Sequence, residues 1–164
     1  MLILGIDPGT ATTGYGLVKV EDDKYTAVEF DLIETDKNGQ PQQRLLTIQK
    51  ELLKVIKKHK PDVMAIEMVF FATNAKTAIA VGQAIGVMML SAAQAKLDIV
   101  EYAPGTIKKM VAGNGRADKK EIQKAIRKVF GASVRSKPKK KTHFDNAADG
   151  LAVALCHAYK LKGE

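Results

Sequence analysis

Three acidic side chains stand where acids are costly. Asp7 closes the apolar run Leu2-Ile3-Leu4-Gly5-Ile6, and Glu67 lies near the end of a second run, Val63 to Met68. Asp149 sits inside Ala147-Ala148-Asp149-Gly150-Leu151-Ala152-Val153, a stretch with helical composition. A carboxylate in apolar surroundings has lost hydration and needs compensation. If the two apolar runs are neighbouring strands, Asp7 and Glu67 leave the same end of one sheet, where they repel each other unless a cation or a shared proton intervenes. Asp145, four residues before Asp149, would project within about 40° of it on a helix, so the two can share a site. As an acid at a helix start, Asp145 reads equally well as an N-cap. Oxygen ligands without nearby Cys or clustered His favour Mg²⁺ or Mn²⁺ over zinc.

The elements that must position these acids are legible in outline. Leu2 to Asp7, Leu17 to Val20 and Tyr25 to Thr35 read as three strands of an antiparallel meander, with Pro8, Gly9, Gly14 and Gly16 at the first turn. Leu45, Ile48, Leu52 and Val55 recur at helical steps, and that helix should end near Lys60-Pro61. Val63 to Met68 and Ile99 to Ala103 are the next strands. Thr106 to Ala112, Lys119 to Phe130 and Asn146 to Lys162 are helices, and Arg135 to Lys141 is a basic loop. Strands first, then helix and strand in alternation, predict an α/β fold: a mixed five-stranded sheet flanked by helices. With 164 residues, the chain has room for a single domain, 1–164.

Charge is unevenly spread. The formal net charge is +8, yet between Pro104 and Lys141 thirteen Lys/Arg face only Asp118 and Glu121, so the rest of the chain is net acidic. A basic block of this kind points to a polyanionic partner, nucleic acid ahead of a membrane. The single cysteine, Cys156, excludes an intramolecular disulfide and a zinc cluster and suits a reducing cytoplasm, and no secretory signal precedes Asp7. Thr77 to Ala95 lacks any charge over 19 residues, close to the roughly 20 that span a bilayer. Gln83, Ser91, Gln94 and many Ala and Gly make it weakly apolar, and it reads as a buried helix at a subunit interface, with no membrane involved.

Taken in order, the motifs resemble the RuvC family of Holliday-junction resolvases, within the ribonuclease H-like nucleases. The carriers are Leu4-Gly5-Ile6-Asp7-Pro8-Gly9-Thr10 with Thr13-Gly14-Tyr15-Gly16, and Ala65-Ile66-Glu67 with Val69-Phe70 and Asn74-Ala75. Gly82-Gln83-Ala84 with Gly86, Glu101-Tyr102-Ala103-Pro104 and Ala147-Ala148-Asp149-Gly150-Leu151-Ala152 extend the likeness over nearly the whole chain. The resemblance implies a homodimeric endonuclease of recombination and repair that nicks opposing strands of a four-way DNA junction, leaving 5′-phosphates, with a branch-migration complex of RuvA and RuvB type as partner. It implies two Mg²⁺ per site, with Mn²⁺ able to substitute, held by Asp7, Glu67 and Asp149. In the family another acid or a histidine stands three residues before the last aspartate. Here that position is Asn146, which brings an amide oxygen but no charge. Asp145 is favoured as the replacement catalytic and metal ligand, with Asn146 and His143 as alternatives.

For DNA contact, the resemblance matches Lys108 and Lys119 to basic positions facing the substrate and Phe70 to an aromatic that stacks on bases near the crossover. Arg116, Arg135, Lys137, Lys139, Lys140 and Lys141 are further phosphate-binding candidates, contributing affinity without sequence readout. Phe71 is assigned to the core. Three rivals stand beside this reading. One is another ribonuclease H-like nuclease acting on RNA, such as a pre-ribosomal RNA processing enzyme, against which the Glu67 to Asn74 and Gly82 to Gly86 segments argue. A second is a junction-binding protein weakened in catalysis by Asn146. The third is an actin-like or sugar-kinase phosphate loop at Asp7-Pro8-Gly9-Thr10, disfavoured because those folds close two domains around a nucleotide.

Overall fold

The first strand, β1 (Leu2–Asp7), pairs antiparallel with β2 (Thr12–Glu21), which pairs antiparallel with β3 (Lys24–Glu34). Asp22 and Asp23 join β2 to β3 with positive φ at both positions, 45° and 62°, the backbone that a tight two-residue hairpin demands. After α1 (Pro41–His59) the chain enters β4 (Val63–Glu67), parallel to β1. It then runs through α2 (Ala75–Gln94) into β5 (Asp98–Tyr102), parallel to β4. The sheet order is β3-β2-β1-β4-β5. Helices α3 (Pro104–Ala112), α4 (Lys119–Phe130) and α5 (Lys141–Lys162) complete the chain, with a short 3₁₀ turn at Gly131–Val134. This computed structural model describes residues 1–70, 74–134 and 141–163, the side chains of 132, 133 and 141–144 excepted.

Alternation along the strands divides the core in two. Leu4, Ile6, Met64 and Ile66 face α1 and α2, meeting Ile48, Leu52, Ala84 and Met88. Ile3, Val63 and Ala65 face the opposite way, toward Ile107, Ile122, Ile126, Leu151 and Leu155 of α3, α4 and α5. By the same parity Asp7 follows Ile3 and Gly5, and Glu67 follows Val63 and Ala65, onto the α5 face.

Two differences from the sequence reading bear on the site. Helix α5 begins at Lys141 rather than Asn146, so Asp145 lies inside the helix and is not its cap. Among the described residues, helix α2 is covered on one side only. Ala84, Met88, Ser91 and Ala92 are buried, whereas Ile79, Met89 and Leu90 are exposed, Ile79 at 65%. By length and composition α2 could cross a membrane; in this fold its inner face packs on the sheet layer.

Candidate active site

The approach of α5 to the sheet is set by missing side chains. A Cβ on Gly16 of β2 would lie 2.6 Å from the Leu151 nitrogen, and one on Gly150 would lie 2.5 Å from the Tyr15 carbonyl carbon. A Cβ on Gly5 of β1 would strike the backbone of Gly150 and Ala154. Helix and sheet backbones therefore touch, and the contact falls beside Asp149 on one element and two residues before Asp7 on the other. Strand β4, paired with β1 up to Ile6↔Ile66, brings Glu67 alongside Asp7.

Asp7, Glu67 and Asp149 line one cleft of about 280 Å³, together with Lys108 of α3 and Lys119 of α4, over a floor that includes Ile107, Ile122 and Ala152. Burial and the neighbouring charges of Glu67 and Asp149 push the Asp7 carboxyl up to about 8. Burial also raises Glu67, against a hydrogen bond shared with Asp7 that lowers it. Asp149 is raised by burial, opposed by its hydrogen bond from Lys119. Such a set behaves as interacting acids that share protons when no cation compensates them.

The side chains as they stand are not drawn into a cage. Among the described residues no three His, Cys, Asp or Glu groups lie close enough to hold an ion. Asp7 and Glu67 lie close enough to share a proton, while Lys119 Nζ donates to Asp149 Oδ2 at 3.0 Å and to Asn146 Oδ1 at 3.1 Å. The donor chemistry nonetheless fits a hard divalent cation. The groups are carboxylate oxygens, partly desolvated, with mutual repulsion that a cation would relieve.

The remaining sequence candidates fall in different places. Asp145 does not line the cleft; its Oδ1 accepts a hydrogen bond from Gln123 Nε2 of α4 at 2.7 Å. Phe70, just beyond β4, is 69% exposed. Arg116 is exposed in the α3–α4 connection, where its backbone N–H donates to Asn114 Oδ1 at 3.0 Å. Phe71, Arg135, Lys137, Lys139 and Lys140 lie outside the described residues, as do the side chains of Lys141 and His143. Gln123 was not singled out in the sequence. Its signal was the step Ile122, Ile126, Phe130, which aims one face of α4 at the core and sets Gln123 next to it.

The same geometry has relatives. A family profile described as crossover junction endodeoxyribonuclease RuvC matches residues 3–157. The chain belongs to the RuvC family. It is 45% identical over 158 residues to the crossover junction endodeoxyribonuclease RuvC of Moorella thermoacetica, covering 96% of this chain and 91% of that one. Among solved structures, Thermus thermophilus RuvC superposes with a TM-score of 0.86 at 30% identity, covering 99% of this chain and 96% of that chain. T. thermophilus RuvC in complex with a Holliday junction substrate gives 0.85 at 27% identity, with the same coverage of each chain. The yeast mitochondrial Holliday junction resolvase, at 17% identity and a TM-score of 0.71 over 96% of this chain and 77% of that one, shares the fold. The mixed sheet is thus the ribonuclease H-like sheet of the RuvC resolvases.

Proposed function

We propose that this chain is a structure-selective endodeoxyribonuclease that resolves four-way DNA junctions by paired nicks, in recombination and repair in the cytoplasm. The observation that carries the reading is the meeting of Asp7, Glu67 and Asp149 in one cleft with Lys108 and Lys119, in a chain of the RuvC family. Asp7, Glu67 and Asp149 would hold two Mg²⁺ ions, with Mn²⁺ able to substitute. When bound, such ions supply Lewis-acid activation of water and stabilisation of a departing 3′-oxygen.

The chain's own residues do the rest. The carboxylate cluster alone would repel a phosphodiester, and Lys108 and Lys119 on the cleft wall offset that repulsion and orient the phosphate. Ile107, Ile122 and Ala152 on its floor limit the water that reaches the scissile bond. Phe70 offers an exposed ring to an unstacked base at the crossover. Pairing of the nicks calls for two sites related by symmetry. The uncharged outer face of α2, where Ile79 and Leu90 flank Gly82 and Gly86 and where, among the described residues, nothing lies within 4 Å of either glycine's missing Cβ, is the surface for a homodimer. A branch-migration complex of RuvA and RuvB type follows from family likeness.

One set of observations favours a second reading, a junction-binding protein of weakened catalysis: Asn146 stands in the family's acidic position and Asp145 is engaged by Gln123. A single experiment separates the two. The protein and Asp7→Asn are incubated with labelled four-way junction, linear duplex and RNA, in Mg²⁺, Mn²⁺ or EDTA. Paired nicks on the junction alone, lost in EDTA and in Asp7→Asn, support the resolvase. Equal cutting of linear duplex or RNA overturns it, and tight junction binding without cleavage establishes the second reading.

A further inference from the structure

Helix α4 grips the site end of α5 at two points one turn apart. Lys119 reaches Asp149 and Asn146, and Gln123 reaches Asp145. The first grip is unusual in its chemistry. An ammonium stands inside the carboxylate cluster, with its side chain 49% exposed against 26% for Asp149. A divalent ion that takes Asp149 would face that positive charge at contact distance, and two cations sharing one carboxylate repel. The other acceptor, Asn146, is neutral. Its amide oxygen accepts from an N–H donor without the added negative charge that draws a divalent ion.

We propose that Lys119 is the resident counter-cation of the site: in the ion-free chain its ammonium bridges Asn146 and Asp149, and it must leave Asp149 before a divalent ion can load there. This rests on the reading of Asp149 as an ion ligand. Lys119 is in this respect a positioning residue, holding the first turns of α5 against α4 until the ion arrives. Once released, its ammonium remains on the cleft wall with Lys108, the place a phosphate would take. Ion and polyanion each favour the released lysine, so each strengthens binding of the other, reciprocally.

The test is calorimetric titration of Mn²⁺, without DNA, into the parent, Lys119→Met and Asp149→Asn. Methionine keeps much of the apolar stem and removes the charge. The expected result is Mn²⁺ binding about two- to fivefold tighter in Lys119→Met, the range set by a partly exposed ion pair. Unchanged or weaker binding in Lys119→Met, with Asp149→Asn impaired, overturns this inference and leaves the site reading standing. A parent that binds no Mn²⁺, or binds it as Asp149→Asn does, overturns both. A second measurement does not depend on the methionine variant folding. In ¹³C-lysine-labelled parent, the Lys119 Cε resonance, identified by its loss in Lys119→Arg, should move as Mg²⁺ is added, with the midpoint of Mg²⁺ binding measured by calorimetry. A resonance that stays in place through saturation contradicts the release of Lys119.

Discussion

Substituting Gly16 by alanine tests whether the glycine contact between α5 and the sheet sets the site. The new Cβ would stand 2.6 Å from the Leu151 nitrogen and 2.8 Å from its Cα, where ordinary contact begins at 3.4 Å. Both obstacles are backbone atoms, so α5 must retreat by about 0.8 Å rather than rotate a side chain aside. Overpacking of this kind costs about 1–3 kcal/mol, which lowers the melting temperature of a chain this size by about 2–12 °C. Leu151 is two residues beyond Asp149, so the retreat carries the carboxylate with it. A shift approaching 1 Å at a catalytic group lowers the rate by about 10²-fold. Thermal unfolding and single-turnover junction cleavage, measured on the same preparation, read the two effects. Gly105→Ala is the control, because among the described residues its Cβ would meet only the Gly115 carbonyl oxygen, at 3.9 Å. A Gly16→Ala protein that melts and cuts like the parent refutes the reasoning.

Three further outcomes follow from named contacts. Asp7 is raised from an ordinary 3.8 to about 8 by burial and by Glu67 and Asp149, so the ion-free fold binds more protons than the unfolded chain between those values. Its stability should fall as pH rises through that window, while Mg²⁺ affinity and cleavage rise toward about pH 8 as the proton becomes easier to displace; profiles flat between about pH 6 and 8 would contradict this. Asp118 and Glu121 form a reciprocal cap on α4, with N–H to carboxylate distances of 2.9 and 2.8 Å, and Asp118→Ala should cost about 0.5–2 kcal/mol in urea denaturation, an unchanged midpoint arguing against the cap. Leu90→Glu, on the exposed face of α2, should turn the proposed dimer into a folded monomer in sedimentation equilibrium, and a dimer that persists would remove α2 from the interface.

Strand parity made the central pair of the site readable before any coordinates. Asp7 is two steps from Gly5 and Glu67 two steps from Ala65, so once β1 and β4 pair in parallel both acids must share a face and an end. Lys119 to Phe130, read as a helix from the sequence, is α4 with the same bounds. What periodicity does not encode is the meeting of α4 with α5. Asp145 was expected to complete the ligand set from its four-residue spacing to Asp149, but its partner is Gln123, far away in sequence and near only after the helices pack. Lys119 was read as a substrate contact, and its bonds to Asn146 and Asp149 belong to the same packing. The start of α5 was placed late because the basic residues before it read as a loop. For α2, composition revealed an apolar helix, yet how much of it a single chain covers depends on tertiary contacts that composition does not contain.

Where divalent ions bind decides the role of the three carboxylates most directly. Crystals soaked in Mn²⁺ and measured at its absorption edge should show anomalous density between Asp7, Glu67 and Asp149, with Lys119 Nζ withdrawn from Asp149. Full Mn²⁺ occupancy elsewhere on the surface, with none among these three carboxylates, would contradict it.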